Sequence, residues 1–173
     1  MVELFVCKIC GEPYLGGKAP DDCPFCGAPK NYIKSVEEFT ELWKTELSEQ
    51  EKSDMQETLD LEINATAYYL DVVKTNEKYS KPNRLFKQLA RVEQEHAEMA
   101  VKFLGIELPE FKGETSKGSF EKDLERTKEL ETEAIKKYQG FLKNAISKNL
   151  KNFYTALIHA EKGHQDIAGK ELE

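Results

Sequence analysis

The chain has 173 residues, 33% charged and 39% hydrophobic, with a formal net charge of −7 at pH 7. That length supports a buried core plus a second, small module, and the balance of five basic to seven acidic groups in residues 1–45 and 20 to 25 in residues 46–173 leaves no basic patch for nucleic acid. No apolar run approaches the ~18 residues of a membrane span, and Met1-Val2-Glu3-Leu4 lacks the basic, then apolar, order of a signal peptide, so a cytoplasmic protein is expected.

Residues 1–35 hold all four cysteines, as Cys7-Lys8-Ile9-Cys10 and Cys23-Pro24-Phe25-Cys26 with twelve residues between the pairs. Two such knuckles in a chain without an export signal predict a tetrathiolate metal site rather than two disulfides, because the cytosol keeps thiols reduced. The ligand set alone does not separate iron from zinc. Gly11 and Gly27 each follow the second cysteine of a knuckle, where the chain must turn tightly. The surrounding Gly, Pro and aromatic residues suit a small module of short strands that depends on its metal.

Residues 36–48 carry Val36, Phe39, Leu42 and Trp43 at helical spacing and predict a linker helix, with Trp43 as a packing anchor. Residues 49–173 then predict four helices, over about 49–78, 82–104, 119–146 and 150–171. Ser48 with Glu51 fits a capping box, and Pro82 fits an opening helical turn. Short connections make the first pair and the last pair antiparallel neighbours. Between them, residues 105–118 are long enough to travel back along a helix of about 30 Å, the single long crossover of a ferritin-like bundle.

The chemistry is written on these helices as a duplication. Glu93-Gln94-Glu95-His96 and Glu161-Lys162-Gly163-His164 are both Glu-x-x-His steps, 68 residues apart, and Glu62 and Glu131 precede them, 69 apart. Tyr69 and Tyr138 repeat at the same spacing of 69. Residues three apart lie about 60° apart around a helix, so each carboxylate and imidazole project together from one face. Four helices thus supply four carboxylates and two imidazoles inward, the ligand set of a di-iron or di-manganese carboxylate site. His159, two residues before Glu161, falls on the other side of its helix and is expected at the surface; Tyr68 and Tyr154 have no repeat to support a role.

These motifs resemble the rubrerythrin family, with its modules in reversed order. The segment Cys23-Pro24-Phe25-Cys26-Gly27-Ala28-Pro29-Lys30 is similar to the second knuckle of that family's rubredoxin-like module, and Cys7-Lys8-Ile9-Cys10-Gly11 to the first. The resemblance implies one redox-active iron on Cys7, Cys10, Cys23 and Cys26, and a di-iron centre on Glu62, Glu93, His96, Glu131, Glu161 and His164, with Tyr69 and Tyr138 behind the ligands. Well-known members carry a further carboxylate where this chain has Ala134; Glu133 is adjacent but about 200° around the helix from Glu131. A symmetric six-ligand site is expected.

The implied activity is a peroxidase that reduces hydrogen peroxide, and in reversed-order members dioxygen, to water. Its one-electron tetrathiolate iron reloads the two-electron di-iron site. The implied partners are a rubredoxin or an NAD(P)H-dependent oxidoreductase as electron donor, and a second copy in a homodimer whose subunits place one tetrathiolate iron near the other's di-iron site. No nucleotide-binding loop is present for NAD(P)H itself. The alternative is a ferroxidase or iron-handling ferritin-like protein with a structural zinc ribbon.

Overall fold

The computed structural model describes residues 1–173. Three short strands, β1 (Glu3–Cys7), β2 (Pro13–Gly16) and β3 (Ile33–Ser35), form an antiparallel sheet in the order β2-β1-β3. Leu4 pairs with Leu15, and Val6 with Lys34. The sheet is too small to bury a core by itself. Ile9, Ala28, Ile33 and the cysteines instead join Leu42, Met55, Leu59, Phe103 and Phe153 in one cluster of 24 buried residues that runs from the module into the helices.

Four helices follow: α1 (Glu49–Thr75), α2 (Lys81–Leu104), α3 (Phe120–Asn144) and α4 (Lys148–Glu171). Every one starts at a serine, Ser48, Ser80, Ser119 or Ser147, whose side chain accepts from a backbone N–H in the first turn and satisfies a donor the helix leaves free. At α1 the capping box is complete, and Glu51 also accepts from the Ile146 N–H at 2.9 Å, which ties the start of α1 to the α3–α4 link. Helix α2 stops at Gly105, whose φ of 66° is left-handed. Helix α1 ends three residues before the expected 78, at a cap where Asn76 donates to the Val72 carbonyl.

Helices α1 and α2 pack as one pair and α3 and α4 as the other. The long crossover returns along α1, held where the Glu114 N–H donates to Asn64 Oδ1 at 3.0 Å and the Ser116 N–H to Asp71 Oδ2 at 2.9 Å. Gly113 is required there, since a Cβ would stand 2.5 Å from Asn64 Oδ1.

The linker differs from the expected helix. Residues 36–48 form one 3-10 turn, Val36–Glu38, and then an irregular path. Its apolar residues serve different surfaces: Trp43 closes over Gly11 of the first knuckle, Leu42 enters the core and Val36 faces solvent. A helix would present one stripe to one partner. The strap touches two bodies, and its contacts decide its shape.

Candidate metal centres

The first centre lies at the end of the small sheet. The four cysteines are free thiols with 1–4% exposure. Their Sγ atoms approach across the knuckles, Cys7 to Cys26 at 3.7 Å and Cys10 to Cys23 at 3.9 Å. A tetrahedron of metal–sulfur bonds of about 2.3 Å has edges of about 3.8 Å, so the four thiols fit a tetrahedral metal. Each knuckle closes through its glycine: the Gly11 N–H donates to the Cys7 carbonyl and the Gly27 N–H to the Cys23 carbonyl, with φ of 86° and 69°. Hydrogen bonds among the sulfurs hold the Cys23 thiol below its ordinary range and push Cys10 and Cys26 above it. Four sulfurs this close ionise together only around a cation.

The second centre lies inside the helices. Glu62 on α1, Glu93 and His96 on α2, Glu131 on α3, and Glu161 and His164 on α4 all project into one space, each with 8% exposure or less. Two overlapping ligand sets emerge. Glu62, Glu93, His96 and Glu161 form one, and Glu93, Glu131, Glu161 and His164 the other. Glu93 and Glu161 belong to both and stand between them. His96 Nδ1 lies 2.9 Å from Glu93 Oε2 and 3.2 Å from Glu161 Oε1; His164 Nδ1 lies 2.9 Å from Glu93 Oε1 and 2.9 Å from Glu161 Oε2.

These atoms fit a pair of metal ions for a chemical reason. Both oxygens of Glu93, both of Glu161 and both Nδ1 atoms are buried without a hydrogen-bond partner. Buried polar atoms are normally satisfied, and a cluster of orphaned atoms aimed at one another fits a pair of cations between them. The far side of His96 makes the same point. Its Nε2 sits 2.9 Å from the Cys26 carbonyl, which only accepts, so Nε2 carries the hydrogen and Nδ1 offers its lone pair to the site.

Burial drives two of the carboxyls away from ionisation: Glu62 is pushed up to about 8 and Glu131 well above the usual carboxylate range. Burial alone would discharge His96 and His164, but Glu161 beside His96 and Glu93 beside His164 raise both imidazoles. Glu161 is held below its ordinary range by the two imidazoles against the opposing effect of burial. Two tyrosines complete the frame crosswise. Tyr69 of α1 donates to Glu131 Oε1 at 2.5 Å, and Tyr138 of α3 donates to Glu62 Oε1. Burial raises both phenols far above their usual range, so each holds its proton on a carboxylate oxygen.

The ten side chains fall in two clusters, the four cysteines in one and the six carboxylate and imidazole groups in the other, and both tyrosines reach the second. Ala134 is buried at 8% exposure, while Glu133 points outward into a groove with Glu57 and Lys137, away from the ligands. His159 is half exposed and meets Asp22 Oδ1 at 2.8 Å, a link between α4 and the second knuckle. Other features escaped the sequence reading. Tyr68 donates to Asp123 at 2.7 Å, and Thr58 and Thr127 bond back to the Asp54 and Asp123 carbonyls. Asp54 and Asp123, like Thr58 and Thr127, are 69 apart, so extending the repeat would have found them.

Comparison with known proteins agrees with this geometry. A family model described as "Rubrerythrin, rubredoxin-like domain" matches residues 5–34, and one described as "Rubrerythrin" matches residues 55–172. The chain belongs to the rubrerythrin family. Its four-cysteine cluster is the rubredoxin-like iron site, and its buried carboxylate–histidine cluster is consistent with the di-iron site of rubrerythrins. The module order is that of the reversed type: the chain is 28% identical over 114 residues to Reverse rubrerythrin-1 of Clostridium acetobutylicum, a match covering 60% of this chain and 63% of that one. The chain therefore spans less than two thirds of that relative's length. No solved structure matches. No helix of this rubrerythrin is long and apolar enough to cross a membrane.

Proposed function

We propose that this chain reduces hydrogen peroxide to two waters at the paired site, with electrons arriving by way of the four-cysteine site. The observation that carries the proposal is the bond from His96 to the Cys26 carbonyl, 2.9 Å long and fully buried. One imidazole faces the paired site with Nδ1 and the tetrathiolate knuckle with Nε2. A storage protein has no use for such a connection, and a reductase that takes electrons singly and spends them in pairs does.

When loaded with two ferrous ions, the paired site supplies the two electrons that peroxide needs and open positions for it. The chain's own residues do the rest. Glu62, Glu93, Glu131 and Glu161 offset the metal charge in a space closed to bulk water. Tyr69 and Tyr138 donate hydrogen bonds to Glu131 and Glu62, and so fix which carboxylate oxygens face inward. The overall change is balanced as one peroxide, two electrons and two protons giving two waters. Dioxygen is a second small oxidant of the same class.

The ligand roles of Cys7, Cys10, Cys23, Cys26, Glu62, Glu93, His96, Glu131, Glu161 and His164 belong to this proposal. So does an external donor of the rubredoxin or NAD(P)H-dependent oxidoreductase type. A homodimer, in which the four-cysteine site of one subunit lies near the paired site of the other, also belongs to the proposal. Reduced thiols suit a reducing compartment such as the cytoplasm.

The test is anaerobic. The iron-loaded protein is fully reduced, one equivalent of peroxide is added, and the ferric tetrathiolate absorbance is followed by stopped flow. Rapid return of the colour supports the proposal. Return no faster than in His164→Ala overturns it, and zinc at the cysteines with iron turnover intact favours iron handling.

A further inference from the structure

We propose that Ala160 is a positioning residue, the stop that fixes how closely the four-cysteine module sits on the paired site; the inference rests on the electron path proposed above. Gly27 and Ala160 meet with no space to spare. A Cβ at Gly27 would fall 2.8 Å from the Ala160 Cβ and 3.4 Å from its Cα. The first distance is shorter than real carbon contacts allow, so the module rests glycine against alanine, the two smallest side chains available.

The contact is in register with both sites. Gly27 follows Cys26, and Ala160 precedes Glu161. One residue away, the Cys26 carbonyl meets His96 Nε2 at 2.9 Å, and that bond is lost if the knuckle lifts by much more than about 0.5 Å. The remaining tethers are pliable. His159 and Asp22 are 50% and 59% exposed, and Lys102 reaches the Cys10 carbonyl only at 3.4 Å. The shared apolar core and these tethers draw the module in, and the Ala160 methyl limits how close it comes.

The duplicated helices differ at this position. The residue equivalent to Ala160, 68 residues earlier and just before Glu93, is Val92, which carries a branched side chain. The two imidazoles differ in exposure: the His96 side chain, which meets the knuckle, is 1% exposed, and the His164 side chain is 10% exposed.

The experiment compares iron-loaded Ala160→Leu, Gly27→Ala, Ala160→Gly and the Gly27→Ala/Ala160→Gly double variant. Two readouts are taken: return of the ferric tetrathiolate colour after one equivalent of peroxide, and hydrogen exchange of residues 22–30 in the resting oxidised protein. Ala160→Leu and Gly27→Ala are expected to slow colour return by about tenfold or more, since displacements near 1 Å carry losses of this size, and to speed exchange in 22–30. Ala160→Gly stays near the parent on both readouts. The double variant, in which the lost methyl makes room for the new one, recovers part of what Gly27→Ala loses, the remainder being the strain of a side chain at a φ of 69°.

The inference is overturned if Ala160→Leu matches the parent on both readouts, or if the double variant is as impaired as Gly27→Ala alone, which would place the defect in the knuckle's own backbone. If the parent never regains colour, the electron path fails instead. Exchange in 22–30 then decides the positioning role by itself: disturbed in Ala160→Leu and restored in the double variant supports it, and undisturbed overturns it.

Discussion

Replacing Tyr138 by phenylalanine removes one hydroxyl and nothing else from the shell behind the metal ligands. That hydroxyl donates to Glu62 Oε1, and Glu62 is 3% exposed, so no water replaces it. Loss of such an outer partner typically weakens metal binding 10- to 100-fold, or about 1.4 to 2.7 kcal/mol. Tyr69→Phe should cost the same within a small factor, because Tyr69 serves Glu131 as Tyr138 serves Glu62. The double variant should roughly multiply the losses, as the hydroxyls act on different carboxylates. Tyr154→Phe is the control: its hydroxyl lies 3.4 Å from Thr58 Oγ1, at the limit of a hydrogen bond, and touches no ligand. The assay is chelator competition for ferrous ion under anaerobic conditions, with the cysteine site already filled. Parent affinity in Tyr138→Phe, or an equal loss in Tyr154→Phe, would refute the crosswise-tyrosine reasoning.

Two further perturbations probe the frame. The Arg126 guanidinium holds the Glu114 carboxyl down at about 2, and a depressed acid contributes stability above its ordinary value of about 4.3 that is lost as pH falls toward 2. With side chains 22% and 31% exposed, solvent screening leaves about 1 kcal/mol. Urea unfolding should therefore show Glu114→Gln less stable at pH 7, with the gap closing between pH 4 and pH 2; an unchanged gap would assign the loss to packing. Cys23→Ser, which deprives the first centre of one thiolate, should lower bound iron by one per chain and speed amide exchange over residues 5–34 while the helical circular dichroism persists. Loss of the helical signal together with the module would show that the shared core, rather than the metal, holds the module in place.

The carboxylate–histidine cluster was legible from the sequence because helix geometry is local. Once residues 81–104 and 148–171 are helical, each Glu-x-x-His step must place both groups on one face, and repeats of 68 and 69 residues state that the arrangement occurs twice. The cysteine site was legible for the same reason, since two tight knuckles constrain their own sulfurs. The serine caps and the Gly105 stop are likewise short-range. Residues 36–48 misled because a helical stripe says only which residues are apolar; Trp43 and Leu42 take their places from Gly11 and the core, and both are distant in sequence.

What the tertiary structure decided is how the two centres face each other. The spacing of Cys26 and His96, 70 residues apart, carries no periodicity that links them, and their 2.9 Å contact exists only because the module docks on α2 and α4. The Gly27–Ala160 contact is of the same kind: no local pattern links the two residues, and only packing in three dimensions brings them together. Local periodicity suffices to build each metal site, because its ligands are held by the regular geometry of the elements that carry them. The relation between sites is a contact between irregular surfaces, and that is settled by side-chain volume at a distance no sequence repeat records.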